Sequence, residues 1–479
     1  MKTYWLEGTK PMIETSIFDL PNGILYEILA RLPMKTIRDC RFVCKQLREI
    51  ISDTDFVNLL LSRSPSTLML SSIYNSEIYF VEPESLDPFV VDGDHNVDTI
   101  VSPNSLLKLD PEFDLPSCRW DVLGSCNGLI CFWNPRTNGP YHIYNPVMNE
   151  YMIVPQAEKY CFAPAGSGFG FCPETNQYAV LRLLYPAPRF GVPGVLKLEA
   201  EIITVGTNLW RKLGAVPCSL HLPSSGCFLN GAFHWIVPDI HNRFEYFCCF
   251  DFRNELFHPF PGPSLSVDDH NMTVYSVDVV LLGNCLSIYF RSIYDTDRLD
   301  IWVMKNYGIK GSWTKEFVIQ LPLLTDVFHQ NIQPIMSLNN GEILILQASC
   351  LLLFYSSKDK RFREVRINGV SNVLLAMAYN PTSVSITTAV IDDNILNWGN
   401  VYKATRFGEM RTYTRSKIRN ERGFSSTRAE KKQAPSFSAK ARSFEEEEEL
   451  VDLEEEDTEN GSEDKVGYVS NDYEKYNDK

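Results

Sequence analysis

The sequence predicts a mainly β protein with a small helical module at its N-terminus. Three observations lead there. The hydrophobic periodicity changes from helical to strand-like near Ser66. A strand–turn–aromatic unit then recurs through the middle of the chain. After about Tyr402 periodicity gives way to charge blocks. The predicted layout is a flexible N-terminus over 1–15, a helical module over 16–62, a β domain over 66–392 and a disordered basic-then-acidic tail over 402–479.

Residues 18–62 carry the helical pattern. Asp19 is placed to act as an N-cap, and Pro21 suits a first turn, where its missing N–H costs nothing. Ile24, Leu25, Ile28, Leu29 and Leu32 recur at helical spacing, and Pro33 stops the run. A second helix is expected through Ile37, Cys40, Val43, Cys44, Leu47 and Ile51, and a third through Phe56, Leu59 and Leu60. Three short helices make a weak core alone. They either cap the domain that follows or dock the helices of a partner, and periodicity does not choose between these.

From Ser66 to about Ile391 short β-type runs alternate with Gly, Pro, Asn and Asp. Runs such as Leu129–Trp133, Ala179–Leu184, Phe247–Phe252 and Leu351–Tyr355 read as strands. Polar turns are followed by Phe89, Tyr151, Trp210, Phe257, Trp313 and Phe362, at spacings of 62, 59, 47, 56 and 49 residues. A four-stranded propeller blade takes roughly 40–50 residues. Six such units predict a six- or seven-bladed β-propeller, in which neighbouring blades bury the faces that no hairpin can bury alone. A β-sandwich with long hairpins is the competing architecture.

The tail changes sign along its length. Residues 402–442 hold 12 Lys/Arg against 3 Asp/Glu, and residues 443–464 hold 13 Asp/Glu and no Lys/Arg. Such blocks bury too little apolar area to offset chain entropy. With a net charge of −15 the chain would be repelled by a phosphate backbone, so no nucleic-acid partner is expected. Its longest apolar stretch, near Ile343–Tyr355, is short of a membrane span, and no membrane partner is expected. The 13 scattered cysteines, with no CxxC pair, fit small core residues in a reducing, intracellular setting, nucleus and/or cytoplasm.

Features that look chemical have plainer readings. Gly166-Ser167-Gly168-Phe169-Gly170 lacks the Lys-Ser/Thr and the helix of a phosphate loop, and reads as a structural turn. His234-Trp235 lies in an apolar strand and reads as a satisfied core histidine. The eight histidines lack zinc-ligand spacing, so neither a metal nor a cofactor is called for. No nucleophile elbow is present. The longer loops, Glu84–Leu115, Tyr185–Val195, Pro261–Met272 and Tyr294–Leu299, are candidate contact loops. Among them Tyr185, Arg189 and Phe190 mix apolar and basic groups as a recognition loop would.

A resemblance decides between capping and docking. The run Phe18-Asp19-Leu20-Pro21, Ile24-Leu25, Glu27-Ile28-Leu29, Arg31-Leu32-Pro33, Arg41, Val43-Cys44-Lys45 and Ser52-Asp53 resembles the plant F-box motif. Gly124–Cys131 with Tyr144-Asn145-Pro146, Gly168-Phe169-Gly170-Phe171, Leu229–Trp235, and Asp300–Met304 with Trp313 resemble the kelch-like F-box-associated domain. The resemblance implies a non-catalytic substrate receptor of a cullin-RING ubiquitin ligase. The helical module would bind a Skp-type linker, and through it a cullin and a RING protein, while the propeller-like domain would bind an unknown protein target. It assigns the linker contact to Leu20, Pro21, Ile24, Ile28, Leu32, Pro33, Val43, Cys44 and Leu47. Leu47 departs from the family, which usually has Trp there. A non-ligase scaffold that retains an F-box, or a propeller hydrolase, are the alternatives.

Overall fold

The computed structural model describes residues 16–63, 66–72, 77–82, 99–101, 106–108, 121–134, 140–157, 165–185, 198–217, 226–238, 244–264, 274–292, 295–321, 332–338, 340–347, 351–368, 370, 373–389, 401–404 and 410–413. All lie in the compact unit that spans residues 1–425; a second unit covers 426–479. Arg189, Phe190 and Phe89 fall outside the described residues, as does the charged tail from residue 414 onward.

The N-terminal module has four helices rather than three: α1 (Asn22–Leu29), α2 (Met34–Val43), α3 (Lys45–Ile51) and α4 (Thr54–Arg63). Cys44 makes the difference. Its backbone is extended (φ −153°, ψ 168°), and its sulfur accepts the Leu47 N–H at 3.5 Å, so the expected second helix becomes two. Asp19 also takes a different role. It sits in a 3-10 turn, Ile17–Asp19, where its carboxylate accepts the Ser16 N–H and the Ser16 hydroxyl accepts the Phe18 N–H. Pro21 and Pro33 are the N-caps of α1 and α2, and α1 ends at Leu29, before Pro33.

Six blades follow, which resolves the choice between six and seven. Blade two holds Asp121–Cys126, Leu129–Trp133, His142–Asn145 and Glu150–Ile153. Blade three holds Gly166–Cys172, Gln177–Leu184, Glu199–Thr204 and Arg211–Ala215. Blade four holds Cys227–Leu229, Ala232–Pro238, Phe244–Asp251 and Leu256–Phe260. Blade five holds Val274–Leu282, Cys285–Ser292, Asp295–Met304 and Trp313–Gln320. Blade six holds Ile332–Ser337, Glu342–Gln347, Leu351–Ser356 and Arg361–Ile367. Blade one is composite. The late strand Val373–Tyr379 is its innermost member and pairs with Thr67–Ser72, with Met69 opposite Met377; Ile78–Val81 and Leu106–Lys108 complete it. The ring is thus closed by pairing the two ends of the domain. The innermost strands of successive blades from two to six, and of blades six and one, touch one another around the axis.

The repeat seen in the sequence marks the fourth strands of the blades. Tyr151, Phe257, Trp313 and Phe362 lie in the fourth strand of their blades, and Trp210 immediately precedes one. Apolar clusters fill the spaces between blades, as in the seam between blades four and five, where Phe247 stacks on Trp313 at 5.7 Å. Gly166–Cys172 is a strand, not the expected turn. Its glycines make room for the next blade, since a Cβ on Gly170 would sit 2.2 Å from the Phe252 ring.

Two edges were not expected. Thr99–Val101 adds a parallel fifth strand to blade six. Val401–Ala404 and Met410–Tyr413 extend blade two beyond Glu150–Ile153, so the β structure continues into a stretch read as tail. Asp295–Met304 likewise turns most of the expected Tyr294–Leu299 loop into strand.

Candidate functional site

The helices sit on one face of the propeller and share its core. Leu29, Met34, Ile37, Ile51, Phe56 and Leu60 form a single buried cluster with Met69, Phe80, Phe132, Val147 and Tyr379 of blades one and two and the closing strand. Burying each such side chain stabilises by about 1.5–3 kcal/mol, which a module this short lacks by itself. Polar contacts fix the register. The Arg41 Nη1 donates to the Met148 carbonyl at 2.7 Å and the Val147 carbonyl at 3.4 Å, and the Met34 N–H donates to Glu82 at 2.7 Å. The module therefore caps the propeller with one face and leaves other apolar residues open to solvent.

The second face is apolar and open. Leu25 and Leu29 of α1 point inward, while Ile24 and Ile28, one helical turn apart, are 49% and 40% exposed. Ile17, Leu20 and Val43 are exposed with them, Val43 at 69%. Of the residues assigned to the linker contact, Leu20, Pro21, Ile24, Ile28, Pro33 and Val43 are exposed, and Leu32, Cys44 and Leu47 are half-buried. Leu32 and Leu47 pack against the shared cluster, and Cys44 caps α3. Ile17 was not in that assignment; the Ser16–Asp19 turn that presents it was its only sequence signal. Arg63 of α4 pairs with Glu27 of α1 and steadies the helices behind this face.

The helix-side face of the propeller is where the inner hairpins turn. Asn127-Gly128, Asn230-Gly231 and Gly283-Asn284 all have positive φ at both positions, as tight hairpins require. Gly128 also admits no side chain, because a Cβ there would lie 2.7 Å from the Thr382 backbone nitrogen. Asn145 joins this face to the closing segment. Its Nδ2 donates to the carbonyls of Thr382 (3.2 Å) and Val384 (2.6 Å), and its Oδ1 accepts from the N–H groups of Val147 and Met148. Beside it, buried Glu150 accepts from Ile386 N–H and Ser385 Oγ, both at 2.8 Å. These bonds account for the Tyr144-Asn145-Pro146 motif. A cavity of about 800 Å³ opens at this end of the channel, among the hairpin turns and Leu61 of α4.

The opposite face is built differently. Inner strands begin there, and the connections between second and third strands and between blades leave from it, including those after Leu184 and before Val274. Tyr185 stands at this end of blade three, half-buried against the cluster between blades three and four. A second channel-mouth cavity, of about 350 Å³, is lined by Trp133, Leu181, Leu183, Phe233 and Trp235 together with Ala165–Gly168. Sequence reasoning missed it, since its lining comes from four blades.

Two side-chain groups bear on chemistry. His234 is buried, with Nε2 2.9 Å from the Tyr307 hydroxyl, and burial lowers its pKa to about 4. The Cys249 sulfur lies 3.2 Å from the His258 ring nitrogens, yet burial first and Asp251 second push the thiol up to about 12. A thiol held so high is not a nucleophile at neutral pH. Among the described residues no group of His, Cys, Asp and Glu is arranged to hold a metal ion, and no helix is long and apolar enough to cross a membrane.

Comparison with known proteins agrees with this layout. The F-box associated beta propeller domain matches residues 67–386, and the F-box domain matches residues 17–59. The F-box protein At3g07870 of Arabidopsis thaliana is 28% identical over 395 residues, covering 74% of this chain and 88% of that protein. The F-box/kelch-repeat protein At3g23880 of the same plant is 25% identical over 393 residues, covering 79% and 98%.

Proposed function

From the premise that this chain belongs to the F-box proteins with an F-box-associated β-propeller, we propose that it is the substrate-recognition subunit of an SCF-type cullin-RING ubiquitin ligase, acting in the nucleus or cytoplasm. The supporting observation is the two-sided helical module. One side is buried in the propeller core, and the other presents Leu20, Ile24, Ile28 and Val43 to solvent. Exposed apolar side chains gathered on one small module are what a docking surface offers. A Skp-type linker would cover it and bring a cullin and a RING protein, while the propeller holds the target. The mechanism is proximity: a tethered target meets the ubiquitin-charged enzyme at high effective concentration, and this chain makes no bonds itself.

The test is a binding measurement between the full chain and a purified Skp-type linker. Leu20→Ala combined with Pro21→Ala removes apolar area from the exposed ridge and leaves the shared cluster intact. The expected outcome is loss of linker binding by at least a hundredfold with an unchanged thermal midpoint. Undiminished binding by the folded double variant refutes the assignment.

A further inference from the structure

The channel mouth on the face away from the helices carries a cavity that the linker reading leaves without a role. Four blades build it. Val122 and Trp133 come from blade two, Ala165–Gly168, Leu181 and Leu183 from blade three, Gly226, Phe233 and Trp235 from blade four, and Leu375 from the strand that closes blade one. Its volume, about 350 Å³, lies at the small end of ligand sites and is near what one large side chain with its adjoining backbone fills. Its walls are mostly aromatic and aliphatic, with Asp121 and Ser167 as the polar residues of the lining. One stretch of rim has almost no side chains, because Ala165, Gly166 and Ser167 run along it half-exposed. Glycine within a strand marks a place where another backbone can approach closely.

The position of the main aromatic wall is built in. A Cβ on Gly226 would lie 2.1 Å from the Phe233 ring, and one on Gly168 would lie 3.0 Å from it. Phe233 and Trp235 also hold each other at 6.1 Å between ring centroids. The Trp235 indole N–H is buried with no acceptor among the described residues. Ser167 is tied to the Tyr141 hydroxyl at 2.9 Å, so the rim is anchored on blade two as well.

We propose that this cavity is the anchor site for the target: it takes one aromatic or large aliphatic side chain, presented by an extended segment of the protein to be recognised. The inference deepens the receptor reading and rests on it. Buried aromatic anchors in preformed pockets carry most of the energy of many interfaces. The cavity's size excludes a whole helix. The bare rim gives the flanking backbone of the segment room to lie across the mouth. Because Leu375 belongs to the closing strand, the site is complete only in a closed ring.

The experiment uses the full chain and three probes, N-acetyl-tryptophanamide, N-acetyl-alaninamide and free indole, followed by saturation-transfer NMR. The capped tryptophan is expected to bind at least tenfold better than the capped alanine, and better than indole. Ala165→Trp, which places an indole at the rim, is expected to remove that preference. Equal binding of the two capped residues overturns the proposal. So does a preference that survives Ala165→Trp, or indole binding as well as the capped residue, which would assign the cavity to a free small molecule. If Ala165→Trp lowers the thermal midpoint, a brominated capped tryptophan soaked into wild-type crystals decides: bromine between Phe233 and Leu183 supports the site, and bromine elsewhere or nowhere overturns it. Linker binding is measured on the same samples. Its loss with the probe preference intact overturns the receptor reading alone, and the reverse result overturns only the anchor site.

Discussion

Blades one and two meet across the closure of the ring, and blades four and five meet in mid-chain; both seams hold a buried apolar cluster, and they differ in the polar bonds that accompany it. At the closure a set of directional contacts joins the apolar ones. Asn145 bonds Thr382 and Val384, Glu150 bonds Ser385 and Ile386, and the Tyr379 hydroxyl donates to the Gly128 carbonyl at 2.8 Å. Between blades four and five the contacts are mostly apolar. Phe247 lies on Trp313, His234 and Phe260 surround Tyr307, and Cys249, Ile288 and Met304 fill the space. Consecutive blades are brought together by the short chain between them, so tolerant packing suffices. At the closure the partners are more than two hundred residues apart in sequence, and hydrogen bonds that fit one register select the right pairing.

The largest test of that contrast is Asn145→Ala. It strands two carbonyls and two N–H groups in a buried site, and should cost about 2–4 kcal/mol, read from the denaturant midpoint. A loss no larger than that of a deletion in the blade four–five seam would break the comparison. Acid comes next. His234 and His142 are each held near pKa 4 by burial, against 6.5 for the free side chain. The unfolded chain then binds protons that the folded chain refuses. Stability is full above pH 6.5 and falls as the pH drops toward 4, by on the order of 3 kcal/mol for His234. A stability-against-pH curve flat across that window would contradict this, and His234→Phe should remove its share of the slope. The smallest effect is that of Tyr307→Phe. Tyr307 is 39% exposed and shares one hydrogen bond with His234, so its loss should cost about 1 kcal/mol. It sharpens the comparison because the ring, and with it the apolar contact, remains.

The same contrast explains what was legible in the sequence. Signals that depend on near neighbours could be read: the β runs, the Asn-Gly hairpins, five of the aromatics that open or precede a fourth strand, and the helical spacing of α1. Signals that depend on a distant partner could not. Asn145 and Gly128 stood out as a motif, but Thr382, which both of them touch, did not. The strands at Thr99–Val101 and Val401–Ala404 are edge additions whose partners lie in other blades. The break at Cys44 escaped because an extended residue between two helical patterns leaves the periodicity almost unchanged. The 350 Å³ cavity escaped because its walls are spread from Val122 to Leu375.

The closing strand has a consequence for biosynthesis. The strand Thr67–Ser72 leaves the ribosome early, yet its inner neighbour, Val373–Tyr379, is among the last parts of the domain to be made. Until then the first blade has an open hydrogen-bonding edge, and the helices that share its core have only part of their support. A nascent chain therefore waits through nearly the whole propeller before its first blade can be sealed. A chain cut short before Val373 leaves the inner edge of its first blade unpaired, an exposed template for aggregation.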